Sequence, residues 1–162
     1  SPLNSENDPL RGQKATLYEG GTRVCAFANW PGKLKPQKYK SAMHCVDWFP
    51  TIAELTEYKP SVDLQWDGVS QWSALSSAVP NTTSRNIYIA TPGARSLRFG
   101  DWKLISRKQG QPELFNIAAD PFEKNNLASK EPEKVAELTK MLTAEQAKDN
   151  PVMPDDLKGL PH

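Results

Sequence analysis

The sequence predicts an α/β protein in two parts: a mixed helix-and-strand segment over residues 1–80, then a small four-stranded antiparallel sheet packed by a C-terminal helix over 81–162. As a chain by itself it reads as α+β. Three observations carry this reading. The continuous apolar run "RVCAFANW" (23–30), closed by Pro31-Gly32, suits a strand buried on both faces, as in a parallel sheet. Four short runs, "RNIYIAT", "ARSLRFG", "DWKLISR" and "ELFNI", follow closely with Pro, Gly and Asp between them, which is the spacing of a meander. Val135, Leu138 and Leu142 then recur at helical spacing, forming an apolar stripe able to cover one face of that sheet.

In chain order, a glycine-rich loop leads into the apolar run. After the basic linker "KLKPQKYK", "MHCVDWFPTIAELTE" reads as a helix with Asp47 as its N-cap and with Phe49, Ile52 and Leu55 sharing one face. Pro50 falls in the first turn, where its missing N–H has no partner to lose. "DLQWDGVSQWSALSS" reads as a loop with a short helix near 71–76. The small polar stretch 76–83, with Pro80, marks the boundary between the two parts. Gly100-Asp101 predicts a tight hairpin between the second and third strands of the sheet. Ser129 is placed to cap the last helix, with Pro132 in its first turn. The Pro-rich tail "DNPVMPDDLKGLPH" is expected to run extended along a surface. Trp48, Trp66, Trp72 and Trp102 could stack on sugar rings, but at these spacings they read first as core.

Twenty basic against nineteen acidic side chains leave a net charge of +1, so no global field draws in nucleic acid or an anionic membrane, and any anion site must be local. No apolar run approaches the roughly 20 residues of a membrane span, and "SPLNSENDP" has neither a basic nor an apolar leader region. Cys25 and Cys45 are too few for a disulfide framework and read as small buried thiols. Asn81-Thr82-Thr83 is a glycosylation sequon that decides nothing alone.

The stretch "NDPLRGQKATLYEGGTR" (7–23) is the most distinctive. Gly20-Gly21 lets the backbone take a positive φ or approach another segment closely, and Lys14 lies in a loop beside Arg11 and Arg23. A lysine so placed offers three N–H donors on a compact charge to a sulfate or phosphate, although most loop lysines are simply solvated. His44, at the start of the expected helix, is a second candidate for contact with a ligand, against a purely structural hydrogen-bonding role. Asp120-Pro121 with Glu123 has the residues of an acidic metal loop.

Residues 9–23 resemble the sulfatase family of the alkaline-phosphatase-like superfamily at its P-L-R-G-x-K-x-T-x-x-E-G-G-x-R segment, matching ten positions of fifteen: Pro9, Leu10, Arg11, Gly12, Lys14, Thr16, Glu19, Gly20, Gly21 and Arg23. "NWPG", "MHCVDWFPTIAEL", "DGVSQW", "DWKLI" and "ELFNIAADPFEKNNLA" extend the similarity to about Met141, and the M-H-x-x-D-W form is most similar to the arylsulfatase B, or N-acetylgalactosamine-4-sulfatase, group. The resemblance implies that 1–80 is a C-terminal piece of the α/β catalytic domain and 81–162 its C-terminal subdomain. It implies hydrolysis of sulfate esters, of a sulfated carbohydrate or an aryl sulfate, with a formylglycine nucleophile and calcium. Lys14 would be the sulfate-contacting catalytic residue, Arg11 and Glu19 would brace its loop as an ion pair, His44 could reach a sugar hydroxyl or the sulfate, and Asp120-Pro121 with Glu123 would be a turn after the last strand, with no metal assigned. A secreted, periplasmic or lysosomal location also follows from the resemblance.

Departures from the family pattern qualify this. Cys25 stands where the family usually has Pro, and Asp8 where it often has an aromatic residue. Nothing reads C-x-P-x-R or S-x-P-x-R, and the family's calcium-binding aspartates are missing, so no metal ligand is assigned in this chain. The expected partner is therefore the N-terminal portion of the same sulfatase, and the isolated chain is expected to be inactive. A strand apolar on both faces needs neighbours on each side. Residues 81–147 are accordingly expected to hold together alone, and 1–80 to order only against that portion. Two alternatives stay open: a phosphodiesterase or phosphonate hydrolase fragment with the same anion site, which the E-G-G-x-R string disfavours, and a non-catalytic carbohydrate-binding module, which would suit five tryptophans.

Overall fold

The structure, a computed structural model, describes residues 6–77 and 85–149. It falls into two compact units, Ser1–Arg23 with Asn86–His162, and Val24–Arg85. The units divide after Arg23 and after Arg85. Residues 6–23, however, pack with the sheet rather than with the segment that follows them.

In the first unit the four expected strands form: β1 (Asn86–Thr91), β2 (Ala94–Phe99), β3 (Trp102–Arg107) and β4 (Glu113–Asn116), in the order β1-β2-β3-β4 and all antiparallel. The turn between β2 and β3 places Gly100 at φ 58, where glycine carries no Cβ penalty. Because side chains alternate along a strand, the register sorts them onto two faces. Tyr88, Leu97, Leu104 and Leu114 stand opposite one another on the first face. The C-terminal helix (Pro132–Gln146) covers them with Leu138, Leu142 and Val135, and Trp102 packs against the same core. Its N-cap is Glu131, two residues beyond Ser129.

The second face carries Ile89, Ser96 and Ile105 in one row and Arg98, Lys103 and Phe115 in the next. It is covered by the chain's own N-terminal segment: Leu17 is buried with Ile105, Phe115 and Ile117, and the Tyr18 ring meets Phe115 edge-on at 6.4 Å. A one-turn helix, α1 (Glu19–Thr22), follows. Both faces of the sheet are therefore dry, which sequence alone did not indicate.

The second unit holds a 3-10 turn (Cys45–Asp47), α2 (Trp48–Leu55) and α3 (Trp72–Ser77), the last close to the short helix expected near 71–76. Four expectations fail here. Residues 24–28 are not a strand: Val24 is 81% and Phe27 93% exposed, because no strand among the described residues pairs with them. α2 turns Pro50, Thr51 and Ala53 inward and leaves Phe49 and Ile52 exposed. Polar contacts set that orientation: the Thr51 hydroxyl donates to the Asp47 carbonyl at 2.5 Å and accepts the Gln71 N–H at 2.9 Å. Asp47 caps no backbone N–H of α2; its side chain reaches back to the His44 N–H at 2.8 Å. Both cysteines are free and exposed, Cys25 in the unpaired run and Cys45 at the start of the 3-10 turn.

Among the described residues no helix is long and apolar enough to cross a membrane. The sequon at Asn81, most of the 76–83 boundary stretch and the tail beyond Asp149 lie outside the described residues. Leu104 is fully buried at the centre of the first-face core. Leu104→Ala is expected to lower the unfolding free energy of the sheet unit by about 2 to 5 kcal/mol in urea titrations, with Ile52→Ala, at an exposed site, within about 0.5 kcal/mol of wild type. Equal effects of the two would contradict the packing described.

Candidate functional site

Lys14 occupies the second position of a turn, Gln13-Lys14-Ala15-Thr16, closed by the Thr16 N–H donating to the Gln13 carbonyl at 3.0 Å. Ala15 takes φ 71, the left-handed value that position of a type II turn demands and that glycine usually supplies. The Thr16 hydroxyl staples the turn twice, donating to the Gln13 carbonyl at 2.7 Å and accepting the Gln13 N–H at 3.2 Å. Lys14 itself is exposed, and its ammonium has no hydrogen bond or ion pair among the described residues.

The turn rests against α1, and the glycine pair permits it by close approach rather than by positive φ. The Gly20 N–H donates to the Arg11 carbonyl at 2.7 Å. A Cβ on Gly20 would sit 2.3 Å from the Gly12 carbonyl oxygen and 2.6 Å from that of Arg11, and one on Gly21 2.3 Å from the Thr16 carbonyl oxygen. No side chain fits between these backbones.

Arg11 and Glu19 both brace the loop, but with other partners than each other. The Arg11 guanidinium lies 3.9 Å over the Tyr18 ring, 3.5 Å from the Glu113 carboxylate, and donates to the Glu123 carbonyl at 3.1 Å. Glu19 is buried and takes the Lys103 ammonium at 2.9 Å, while Arg23 and Arg98 each stand 3.9 Å from its other oxygen. Lys103 also lies 2.9 Å from Glu123, which is fully buried and whose carboxylate accepts the Glu19 N–H at 2.6 Å. Burial pushes the Glu123 carboxyl up, opposed by the Glu19 N–H and the Lys103 ammonium, which pull it down.

Sequence reasoning passed over Lys103 and Arg98 and read Glu123 only as part of a turn. The signal was the alternation in "DWKLISR": Lys103 shares its face with Ile105 and Phe115, so that face too is apolar and a lysine on it needs a buried counter-charge. Asp120 accepts the Asn125 N–H at 2.7 Å, as a turn residue would. Among the described residues no three His, Cys, Asp or Glu side chains converge on a point, so they do not fit a calcium cage by themselves.

His44 lies in the other unit. Its Nδ1 accepts the Val46 N–H at 3.3 Å while Asp47 takes the His44 N–H, a reciprocal cap of the 3-10 turn. Asp47, fully buried, also accepts the Val69 N–H at 3.1 Å and pairs with Arg85. With Nδ1 engaged, only Nε2 is free to meet a ligand.

Comparison with known proteins settles what this loop belongs to. The "Sulfatase" family profile matches residues 1–58. The chain belongs to the sulfatase family. Among its sulfatase relatives, N-acetylgalactosamine-6-O-sulfatase of Bacteroides thetaiotaomicron is 30% identical over 82% of this chain and 29% of its own length. Mouse arylsulfatase J is 28% identical over 85% of this chain and 31% of its own. A solved structure from work on glycosaminoglycan metabolism in Bacteroides thetaiotaomicron superposes with a TM-score of 0.76 at 29% identity, covering 86% of this chain and 32% of that one. The chain thus spans about 30% of the sulfatases it matches, and its sheet and helices have their counterpart in the sulfatase fold.

Burial, with the Arg85 charge next, holds the His44 imidazole below its ordinary value of 6.5. The unfolded chain then binds the proton first, so stability falls as pH drops through about 6.5 and levels off below the folded value. His44→Asn keeps a capping acceptor and removes the titration. The urea midpoint is expected to shift less between about pH 7.5 and 5.5 in the variant than in wild type; an identical shift would mean His44 does not contribute.

Proposed function

We propose that this chain is part of a sulfate-ester hydrolase to which it supplies Lys14 as a sulfate-contacting residue. One observation carries the reading: in a loop whose backbone is stapled between Gln13 and Thr16 and whose Arg11 and Glu19 side chains are both paired, the Lys14 ammonium is exposed and without a partner among the described residues. A strained turn residue, Ala15, stands beside it, and such strain gathers at functional sites. The match of residues 1–58 to the sulfatases supports it further, as against the phosphodiesterase or carbohydrate-module alternatives.

In this proposal the formylglycine and calcium implied by the family come from the remainder of the protein, and supply the nucleophile and the divalent charge. The part of this chain is electrostatic. The Lys14 ammonium donates to a sulfate oxygen and stabilises the charge that builds as the S–O bond to the alcohol lengthens. The turn fixes where that donor stands, so little reorganisation is needed as the charge develops. The substrate is a sulfated carbohydrate or an aryl sulfate, in keeping with the names of the two relatives, and the location follows the family: secreted, periplasmic or lysosomal. The finer kinship with the N-acetylgalactosamine-4-sulfatase group belongs to the same proposal.

In the complete protein, Lys14→Ala is expected to lower kcat/KM on a chromogenic aryl sulfate by roughly a hundredfold, with Tm unchanged because the side chain packs on nothing. Full activity in a folded Lys14→Ala protein would return Lys14 to the solvated surface.

A further inference from the structure

Glu123 holds both ends of the Lys14 loop. Its backbone carbonyl accepts Arg11 Nη1 at 3.1 Å at the start of the loop, and its carboxylate accepts the Glu19 N–H at 2.6 Å at the end. It does this from φ 54, a left-handed conformation disfavoured for a glutamate, and with no exposed surface at all. Lys103, on β3, fixes the carboxylate in turn, bridging Glu123 and Glu19 at 2.9 Å each. The Glu123 oxygen facing Lys103 has no hydrogen bond of good geometry, so that contact is ionic. Buried ion clusters add little net stability compared with apolar residues of the same volume, whereas they do fix geometry. What this cluster fixes is the segment from Arg11 to Glu19.

We propose that Glu123, anchored by Lys103, is a positioning residue for Lys14: it clasps the loop at both ends and thereby sets where the ammonium stands against the sulfate. The inference rests on Lys14 contacting the ester. Its mechanism needs both reach and two acceptor oxygens. A carboxylate one methylene shorter cannot hold the Glu19 N–H from the same backbone, and an amide of the same length turns its NH2 either on that N–H or on the Lys103 ammonium.

The test compares Glu123→Asp with Glu123→Gln in the complete protein, each alone and in the Lys14→Ala background. Aspartate tolerates the left-handed backbone and keeps the charge; glutamine keeps the length and one acceptor oxygen. The expected result is a loss of about tenfold in kcat/KM, mostly in kcat, for Glu123→Asp and for Glu123→Gln. In the Lys14→Ala background the Glu123→Asp loss should shrink to under about threefold, since the two act as one unit. Amide exchange at Gly20, which donates to Arg11, should quicken in both variants, a readout that holds even where activity is low. Gly20 exchange unchanged in both variants, or a Glu123→Asp loss undiminished in the Lys14→Ala background, would overturn the clasp. Full activity of Lys14→Ala alone would instead strike the reading beneath it, whatever the Glu123 variants do.

Discussion

The docking of the N-terminal segment on the sheet depends on one buried cation. Lys103 lies on the second face of the sheet with 3% of its surface exposed, where a lone ammonium would be held only at a cost of several kcal/mol. Two carboxylates answer it, Glu19 from the glycine-rich segment and Glu123 from the turn after β4. Because those residues come from three separated parts of the chain, satisfying the lysine draws the three together. The apolar contacts of Leu17 and Tyr18 with Phe115 and Ile105 supply the driving force, and the ion cluster selects the register in which they pack.

The sheet was legible because its signals are local. Alternation within "NIYIAT" and "WKLIS", with Gly100 at the tight turn, gives strands and pairing without reference to anything distant. The loop was legible by its likeness to sulfatases, and its glycine pair by the need for close backbone approach. The partners of Glu19 were not, since Lys103 is 84 residues away and Glu123 is 104. An arginine eight residues earlier made a more economical guess than either. Lys103 was passed over because the segment that covers the second face, with Leu17 and Tyr18, lies far from β3 in the chain.

The second unit shows the opposite limit. "VCAFA" has the composition of a buried strand, yet Val24 and Phe27 are among the most exposed apolar side chains described. Strand propensity expresses a fit to neighbours, and pairing requires a neighbour to be present. Around α2 the apolar stripe was a poor guide for a related reason. Asp47, buried and bonded to His44, Val69 and Arg85, outweighs Phe49 and Ile52, because leaving its charge unpaired is worse than leaving two apolar groups in water. His44, a candidate ligand by sequence, spends one ring nitrogen on the same cap.

The central claim is that the sulfatase segment 6–23 is built on the face of the C-terminal sheet and held there by Lys103 and Glu123. The most direct measurement is amide hydrogen exchange on the 162-residue chain. The Glu19 N–H, donated to Glu123, and the Gly20 N–H, donated to Arg11, should be protected to a degree approaching that of the β2 and β3 amides, while Val24 to Ala28 exchange freely. Exchange at Glu19 and Gly20 as fast as at Val24 to Ala28, with the sheet still protected, would contradict the account and leave the loop to be ordered by something other than this sheet.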